Sequence, residues 1–348
     1  MAIHVVNEAR RCLHCKKPMC REGCPINTNI PEVIELFRTG HKEDAGAMLY
    51  ENNPLSVICS LVCDHDKQCE GHCVLGRKGA PVHFSSIENY ISDSYLDHLH
   101  LEMQPKTGQR VAIIGSGPAG ITISILLAQR GYQVTMFESR EKIGGVLRYG
   151  IPEFRLPKSI LDRYQKQLTQ LGIRIRPNTA IGRTLTVDDL QRDGYEAIFI
   201  GTGVWKPKAM GIPGESLGNV NYAIDYLVNP DVYDLGDDLV VIGAGNSAMD
   251  VARTALRKGV RRVNVFCRRY QTAASVREVD YAKADGVEFF TECAPPHRGR
   301  WRLLQESRDE RGRQHHQHQR GTVLPVQQRH HCHQSGRTEP HRQHHHRS

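Results

Sequence analysis

A short apolar run that ends in a glycine cluster and passes straight into a helix occurs twice in these 348 residues, and this constrains the fold more than any other feature. In the first copy RVAIIG leads into Gly115, Ser116, Gly117, Pro118, Ala119 and Gly120. A helical stretch, GITISILLAQRG, follows and stops at Gly131, and YQVTMFE reads as a second strand. In the second copy LVVIG leads into Gly243, Ala244, Gly245, Asn246 and Ser247, then the helix SAMDVARTALRKG and the strand RRVNVFC. Strand, glycine turn, helix and strand together make the βαβ unit of nucleotide-binding α/β folds. The first glycine permits the tight turn, the second lets backbone approach a pyrophosphate, and the third packs helix on strand. The helix N-terminus then offers free N–H groups and a positive dipole to the phosphates.

The two units differ where the second strand ends. The first delivers Glu138, a carboxylate placed to accept hydrogen bonds from an adenosine ribose. The second delivers Cys267, Arg268 and Arg269, and a guanidinium suits a ribose 2′-phosphate that a carboxylate would repel. Solvated surface arginines would look the same in sequence. An acidic rim first and a basic rim second imply FAD receiving hydride from NADPH. Between the units lie Gly144, Gly145 and Leu147 in GGVLRYGIPEFRLP, and Gly201, Thr202 and Gly203 in FIGTG. Their glycines let backbone lie close to a flat ring and mark where the chain crosses between domains.

Eight of the eleven cysteines fall between residues 12 and 73, in two groups. The first is Cys12, Cys15, Cys20 and Cys24, followed by Pro25; the second is Cys59, Cys63, Cys69 and Cys73. A long chain with crowded cysteines points to metal ligation rather than disulfides. The first run resembles a ferredoxin run with its middle gap lengthened, and eight thiolates satisfy two [4Fe-4S] clusters. Two Cys₄ zinc sites use similar short spacings. The Cys-Pro step and a flavin on the same chain favour iron–sulfur.

The net charge of +8 does not mark the folded body as a polyanion binder, because it sits at one end of the chain. From His297 onward, eleven arginines against four acids and no lysine carry +7 of it. That tail holds eleven of the nineteen histidines and lacks Ala, Ile, Lys, Phe, Tyr, Asn and Met. Read one nucleotide later, HHCHQ at 330–334 becomes an apolar strand, so the tail is read as a reading-frame product, expected to be disordered. A His-rich metal-binding tail or a basic nucleic-acid arm are the alternatives. No stretch has transmembrane length and the start lacks a signal-type apolar core, so the chain is read as cytoplasmic, with no membrane or nucleic-acid partner.

The strings RCLHCKKPMCREGCPIN, ENNPLSVICSLVC, CEGHCVLG, VAIIGSGPAG, GGVLRYGIPEFRLPK and VVIGAGNSAMD together resemble the small subunit of NADPH-dependent glutamate synthase across residues 8 to 294. Relatives of that family are the large subunit of ferredoxin:NADP transhydrogenase and the NADPH-oxidising half of dihydropyrimidine dehydrogenase. The resemblance implies an α/β chain: a helical iron–sulfur module over residues 1–105, an FAD-binding half-domain over 106–234, a partial NADPH-binding domain over 235–296, and the tail over 297–348. The two nucleotide domains would be Rossmann-like, of the pyridine nucleotide-disulfide oxidoreductase type, with the C-terminal part incomplete. Electrons would pass from NADPH through FAD and two clusters to a large catalytic subunit of glutamate synthase type, or to another acceptor such as ferredoxin. One cluster would use Cys12, Cys15, Cys20 and Cys73, and the other Cys24, Cys63 and Cys69. Its fourth ligand would be Glu88 or Cys59. Asp64 stands where relatives usually carry proline. Hydride transfer needs no acid or base, so no catalytic side chain is expected. The family's later Gly-Asp pair for the flavin is not matched, since Gly236-Asp237 precedes the second fingerprint. Unpaired strand edges and weak flavin retention are therefore expected. A non-catalytic product in which only the iron–sulfur module folds is the alternative.

Overall fold

The computed structural model describes residues 2–99, 104–294, 302–303 and 322–325. Apart from those last two short segments, the readings made for the tail lie outside the described residues. The first segment is helical: α1 (Ala2–Arg10), α2 (Met19–Glu22), α3 (Ile30–Arg38), α4 (Lys42–Asn52), α5 (Ser56–Val62) and α6 (Phe84–Asp97). Pro31 sits in the first turn of α3, where its missing N–H costs nothing. Asn29 occupies the N-cap position without a side-chain cap bond. The Thr28 hydroxyl instead donates to Asn52 Oδ1 at 2.8 Å and tethers the Cys24 loop to α4.

The first nucleotide unit runs β1 (Arg110–Ile114), α7 (Pro118–Gln129), β2 (Gln133–Phe137), α8 (Val146–Tyr149), α9 (Lys158–Gln170), β3 (Arg174–Arg176), α10 (Val187–Arg192) and β4 (Ala197–Ile200). The second runs α11 (Ala223–Val228), β5 (Asp238–Ile242), α12 (Asn246–Arg257), β6 (Arg262–Phe266), α13 (Val276–Ala284) and β7 (Glu288–Phe290). Cys293–Ala294 (β8) pairs antiparallel with Arg302–Leu303 (β9), and Thr322–Pro325 forms β10. The sheets are parallel, with orders β3-β2-β1-β4 and β10-β5-β6-β7. Strands buried on both faces read as the continuous apolar runs VAII and LVVI, as parallel sheets require.

The expected open edge beside β5 is corrected by the structure: β10 pairs along it from Thr322↔Leu239 to Pro325↔Ile242. Those four residues, inside the segment expected to be structureless, take the place in the second sheet that β4 takes in the first.

Three apolar clusters matter. Tyr50, Leu55, Val57 and Ile58 of the helical segment pack in one core with Ile113, Ile121, Ile125, Met136, Leu161 and Tyr164 of the first nucleotide unit. At roughly 1.5–3 kcal/mol for each buried side chain of this size, that junction is a weld worth several kcal/mol. Tyr164 Oη donates to Pro54 O at 2.7 Å across the same seam. A module folding alone would lose this core, which weighs against the reading in which only the iron–sulfur segment folds. The second unit closes a core of its own around Leu239, Val241, Met249, Val251 and Val265. The third core, under the cysteines, joins Val5, Val33, Ile34, Leu49, Phe84, Ile87 and Ile91. Among the described residues no helix is long and apolar enough to cross a membrane.

Candidate functional site

The first fingerprint forms a glycine cradle. Gly115 has φ +100, and a Cβ on Gly120 would lie 2.0 Å from Gly115 O, so helix α7 can approach β1 this closely only with glycine there. Gly117 faces open space, and a Cβ on Gly145, itself at φ +50, would come 2.8 Å from Gly117 Cα. Gly144 N donates to Ser116 O at 2.9 Å, tying the two glycine loops together. Gly201 N donates to Ile114 O, continuing the register of β4 along β1 before Thr202 and Gly203 lead away. Leu147 is buried on α8. The cradle is thus floored by residues 115–120, walled by Gly144 and Gly145, and bounded by 201–203.

Glu138 ends β2 with 5% exposure. Its Oε2 accepts from Ser116 N at 3.1 Å and from the Ser116 hydroxyl, and its Oε1 accepts from Arg140 N at 2.8 Å and Ser139 Oγ at 3.1 Å. These bonds hold the turn of the fingerprint to the end of β2 and satisfy a buried carboxylate that would otherwise be costly. The Arg140 guanidinium lies 4.4 Å from the ring centroids of both Tyr149 and Trp205, an aromatic clasp beside the cradle. Nothing in the sequence pairs those three residues.

The second fingerprint repeats the geometry. Gly243 has φ +107, Gly245 faces open space, and Ala244 and Ala248 are fully buried against the core. Arg268 and Arg269 are exposed just past β6. Their loop is pinned at its start by Cys267 N on Phe290 O at 2.9 Å. At its far end Ala273 N and Ala274 N both donate to Ala244 O at 2.9 Å, and Ser275 N donates to Asn246 Oδ1 at 2.9 Å.

The two nucleotide units meet through charge. Arg155, from the GIPEFRLP string, places Nη1 2.9 and 2.8 Å from the two oxygens of Asp250 on α12, and its Nε is 3.1 Å from Glu278 Oε1 on α13. Arg253 continues the chain, 2.9 Å from Glu278 Oε2 and 2.8 Å from Asp285. Burial pushes the Asp250 carboxyl up to about 6 even with Arg155 beside it. Arg155, Arg253 and Glu278 border a polar cavity of about 300 Å³ that also touches Cys63, His65 and Glu70 of the helical segment. Sequence reading missed this network. Its signal was Asp250 itself, a carboxylate inside the apolar run of Ala248, Met249, Val251 and Ala252.

The eight N-terminal cysteines separate into two groups in space. Cys12, Cys15, Cys20 and Cys73 line one apolar cleft with Ile30, Ile34 and Phe84, and Cys69 of the second group reaches its wall. His14, at φ +47, turns the chain between Cys12 and Cys15. The Cys20 thiol is pushed up to about 11, by burial first and then by the charges that Cys12, Cys73 and Cys15 would bring nearby. Four thiolates there need a cationic centre to exist together. The second group joins Cys24, Cys59, Cys63 and Cys69 around Glu88. Burial raises Glu88 well above the ordinary carboxylate range, and Cys59 and Cys24 add to the shift. Cys69 is raised by burial, then by Glu70, Glu88 and Cys24. The Cys63 thiol is raised chiefly by its hydrogen bond to Cys59, which also receives Asn53 Nδ2 at 3.1 Å. Cys59 and Glu88 therefore both face the second group. Asp64 opens the turn after Cys63, its carbonyl accepting from Lys67 N at 3.0 Å and Gln68 N at 3.1 Å. Among the described residues no three His, Cys, Asp or Glu side chains converge as a single metal ion would demand. The remaining described cysteines, Cys267 and Cys293, are buried apart from these groups.

Comparison with known proteins bears on both halves. Residues 2–99 match the family described as dihydropyrimidine dehydrogenase domain II, 4Fe-4S cluster. Residues 88–188 and 109–298 match the pyridine nucleotide-disulphide oxidoreductase family. The chain is 36% identical to the glutamate synthase [NADPH] small chain of Azospirillum brasilense, over 83% of this chain and 64% of that one. It is 32% identical to the NAD-dependent dihydropyrimidine dehydrogenase subunit PreT of Escherichia coli O157:H7, over 80% of this chain and 68% of that one. The chain thus spans just under two thirds of its glutamate synthase relative. A solved 2-naphthoyl-CoA reductase complex shares the fold, with a TM-score of 0.54 at 18% identity, over 86% of this chain and 42% of that one.

Proposed function

The chain belongs to the pyridine nucleotide-disulphide oxidoreductase family, with a 4Fe-4S domain of the dihydropyrimidine dehydrogenase type ahead of it, and on that premise we propose that it oxidises NADPH and passes the electrons on singly to a partner. The partner is a large catalytic subunit of glutamate synthase type, in line with the small-chain relative. When bound, FAD splits the hydride's electron pair and the iron–sulfur clusters carry single electrons.

The residues of this chain hold and orient. Gly117, where a Cβ would project into open space, gives the flavin's pyrophosphate its surface, with the first turn of α7 behind it, while Gly120 and Gly145 let α7 and the second glycine loop close on the turn. Glu138, whose Oε1 accepts from Ser139 Oγ, would serve the ribose as a hydrogen-bond acceptor. Gly144, Leu147 and Gly201 to Gly203 line the ring side. Gly243 to Ser247 receive the pyrophosphate of NADPH, and Arg268 with Arg269 receive its 2′-phosphate by charge-assisted hydrogen bonds. Cys12, Cys15, Cys20 and Cys73 hold one cluster; Cys24, Cys63 and Cys69 hold the other, with Cys59 or Glu88 completing it. Around the first group, exposed Leu13 and the neighbouring Lys16 and Lys17 give the partner an apolar spot with a basic rim.

The observation that carries this reading is the core that α5, which bears Cys59, shares with the flavin-type unit. Protein prepared anaerobically should contain flavin and iron in a fixed ratio, and NADPH should bleach its visible bands. Zinc without iron, or a flavin that NADPH leaves oxidised, would sink the assignment.

A further inference from the structure

Lys67 lies in the turn between Cys63 and Cys69 and reaches across 206 residues of sequence to the second nucleotide unit. Its Nζ donates to Ala273 O at 3.2 Å and to Ala274 O at 3.5 Å, while Asp64 Oδ2, 2.9 Å away, steadies the ammonium. The same two residues give their N–H groups to Ala244 O, in the middle of the second fingerprint. Ser275, next in line, gives its N–H to Asn246 at the head of α12. The segment 273–275 is thus clamped between the cysteine turn on one side and the fingerprint on the other. It is also the far end of the loop that carries Arg268 and Arg269.

We infer that Lys67 is a positioning residue for the reduced dinucleotide: a strut, aimed by Asp64, that keeps the loop after β6 and the fingerprint in their binding geometry. This rests on the second fingerprint being the NADPH site. A loop already held in place loses less freedom when the ligand arrives, so removing the strut moves an ordering cost into the binding step. By linkage the coupling runs both ways, and a dinucleotide on the fingerprint stiffens the Cys63–Cys69 turn. Asp64 thereby gains a use in this chain: it aims the lysine.

The test is equilibrium binding of NADP⁺ to the full chain by calorimetry, with hydrogen exchange of residues 64–68 read alongside. Lys67→Ala should bind about three- to tenfold more weakly, the worth of a partly exposed charged hydrogen bond. Lys67→Arg, which keeps a donor and a charge, should stay within about twofold of wild type, as should Lys166→Ala on the exposed face of α9. NADP⁺ should slow exchange of the turn in wild type and not in Lys67→Ala. Equal affinity in wild type and Lys67→Ala overturns the inference, as does protection of the turn that survives the substitution. Loss of iron together with affinity also overturns it, because the lysine would then only be holding the cysteine turn. Absence of any NADP⁺ binding by wild type refutes the assignment of the pocket itself, and the strut falls with it.

Discussion

Replacing Arg155 by methionine removes the cation that faces Asp250 and Glu278 while keeping the volume of its stem. Glu278 retains Arg253 at 2.9 Å, so the consequence is concentrated on Asp250, which is 3% exposed. Breaking a buried pair is commonly worth 3–5 kcal/mol, but a carboxylate can escape part of that by taking up a proton. In the wild type Asp250 titrates at about 6 instead of its ordinary 3.8. A raised folded value means that its contribution to stability is fully present below about pH 4 and is lost as pH rises through about 6. At 1.36 kcal/mol per unit, its ionised form costs the wild type about 3 kcal/mol at neutral pH. Without Arg155, the largest influence holding that value down, the carboxyl should titrate higher still and keep its proton further into the alkaline range. The variant should therefore be less stable than wild type by on the order of 1 kcal/mol at pH 7, more at pH 8, and nearly nothing at pH 5. Urea unfolding of both proteins at those three values, under anaerobic conditions, measures the difference. Arg155→Met with Asp250→Leu should lose the pH dependence. A gap between Arg155→Met and wild type that is the same at pH 5 and pH 8 would refute the reasoning, since it would mean that Asp250 is not the group left behind.

Gly145→Ala should lose most of the bound flavin, about tenfold or more in affinity, because its Cβ would meet backbone at 2.8 Å with φ at +50. Flavin per chain in the purified protein measures this, and a normal content would show that the cradle is not the pyrophosphate site. Arg268→Ala with Arg269→Ala should raise KM for NADPH by about tenfold or more and leave KM for NADH nearly unchanged. Equal effects on the two cofactors would mean that the arginines are ordinary surface charges. Cys20→Ser should lower iron and acid-labile sulfide by about half, because Cys20 is proposed to serve one of two clusters. Full retention would remove Cys20 from the ligand set.

The local units were legible because their signals are local. RVAIIG and YQVTMFE became β1 and β2, LVVIG and RRVNVFC became β5 and β6, and the intervening helices run from Pro118 to Gln129 and from Asn246 to Arg257. Each is set by an apolar run with a glycine at its end, within about 30 residues of chain. What joins the units was not legible, because it depends on where topology brings distant residues. Arg155 meets Asp250 across 95 residues, and Lys67 meets Ala273 across 206. The pairing of β10 with β5 was missed for a related reason: composition marked the tail as anomalous, while a strand at a sheet edge needs only a few residues of the right shape, here TVLP.

The three parts of the molecule are joined by two different kinds of contact, and this sets what can move. The helical segment and the first nucleotide unit share an apolar core through Tyr50, Leu55, Val57 and Ile58, and opening it would expose all four side chains to water. The second unit closes its own core and meets the rest through Arg155, Asp250, Glu278 and the Lys67 strut, bordering a polar cavity. Ion pairs and carbonyl contacts can be exchanged for water at small net cost, so this seam is the softer one. Under the proposed function, the thiol groups and the first glycine cradle need a constant separation, whereas the unit proposed to take in and release a dinucleotide needs room to adjust. The apolar weld lies on the first seam and the polar contacts on the second, which is the distribution that those two demands require.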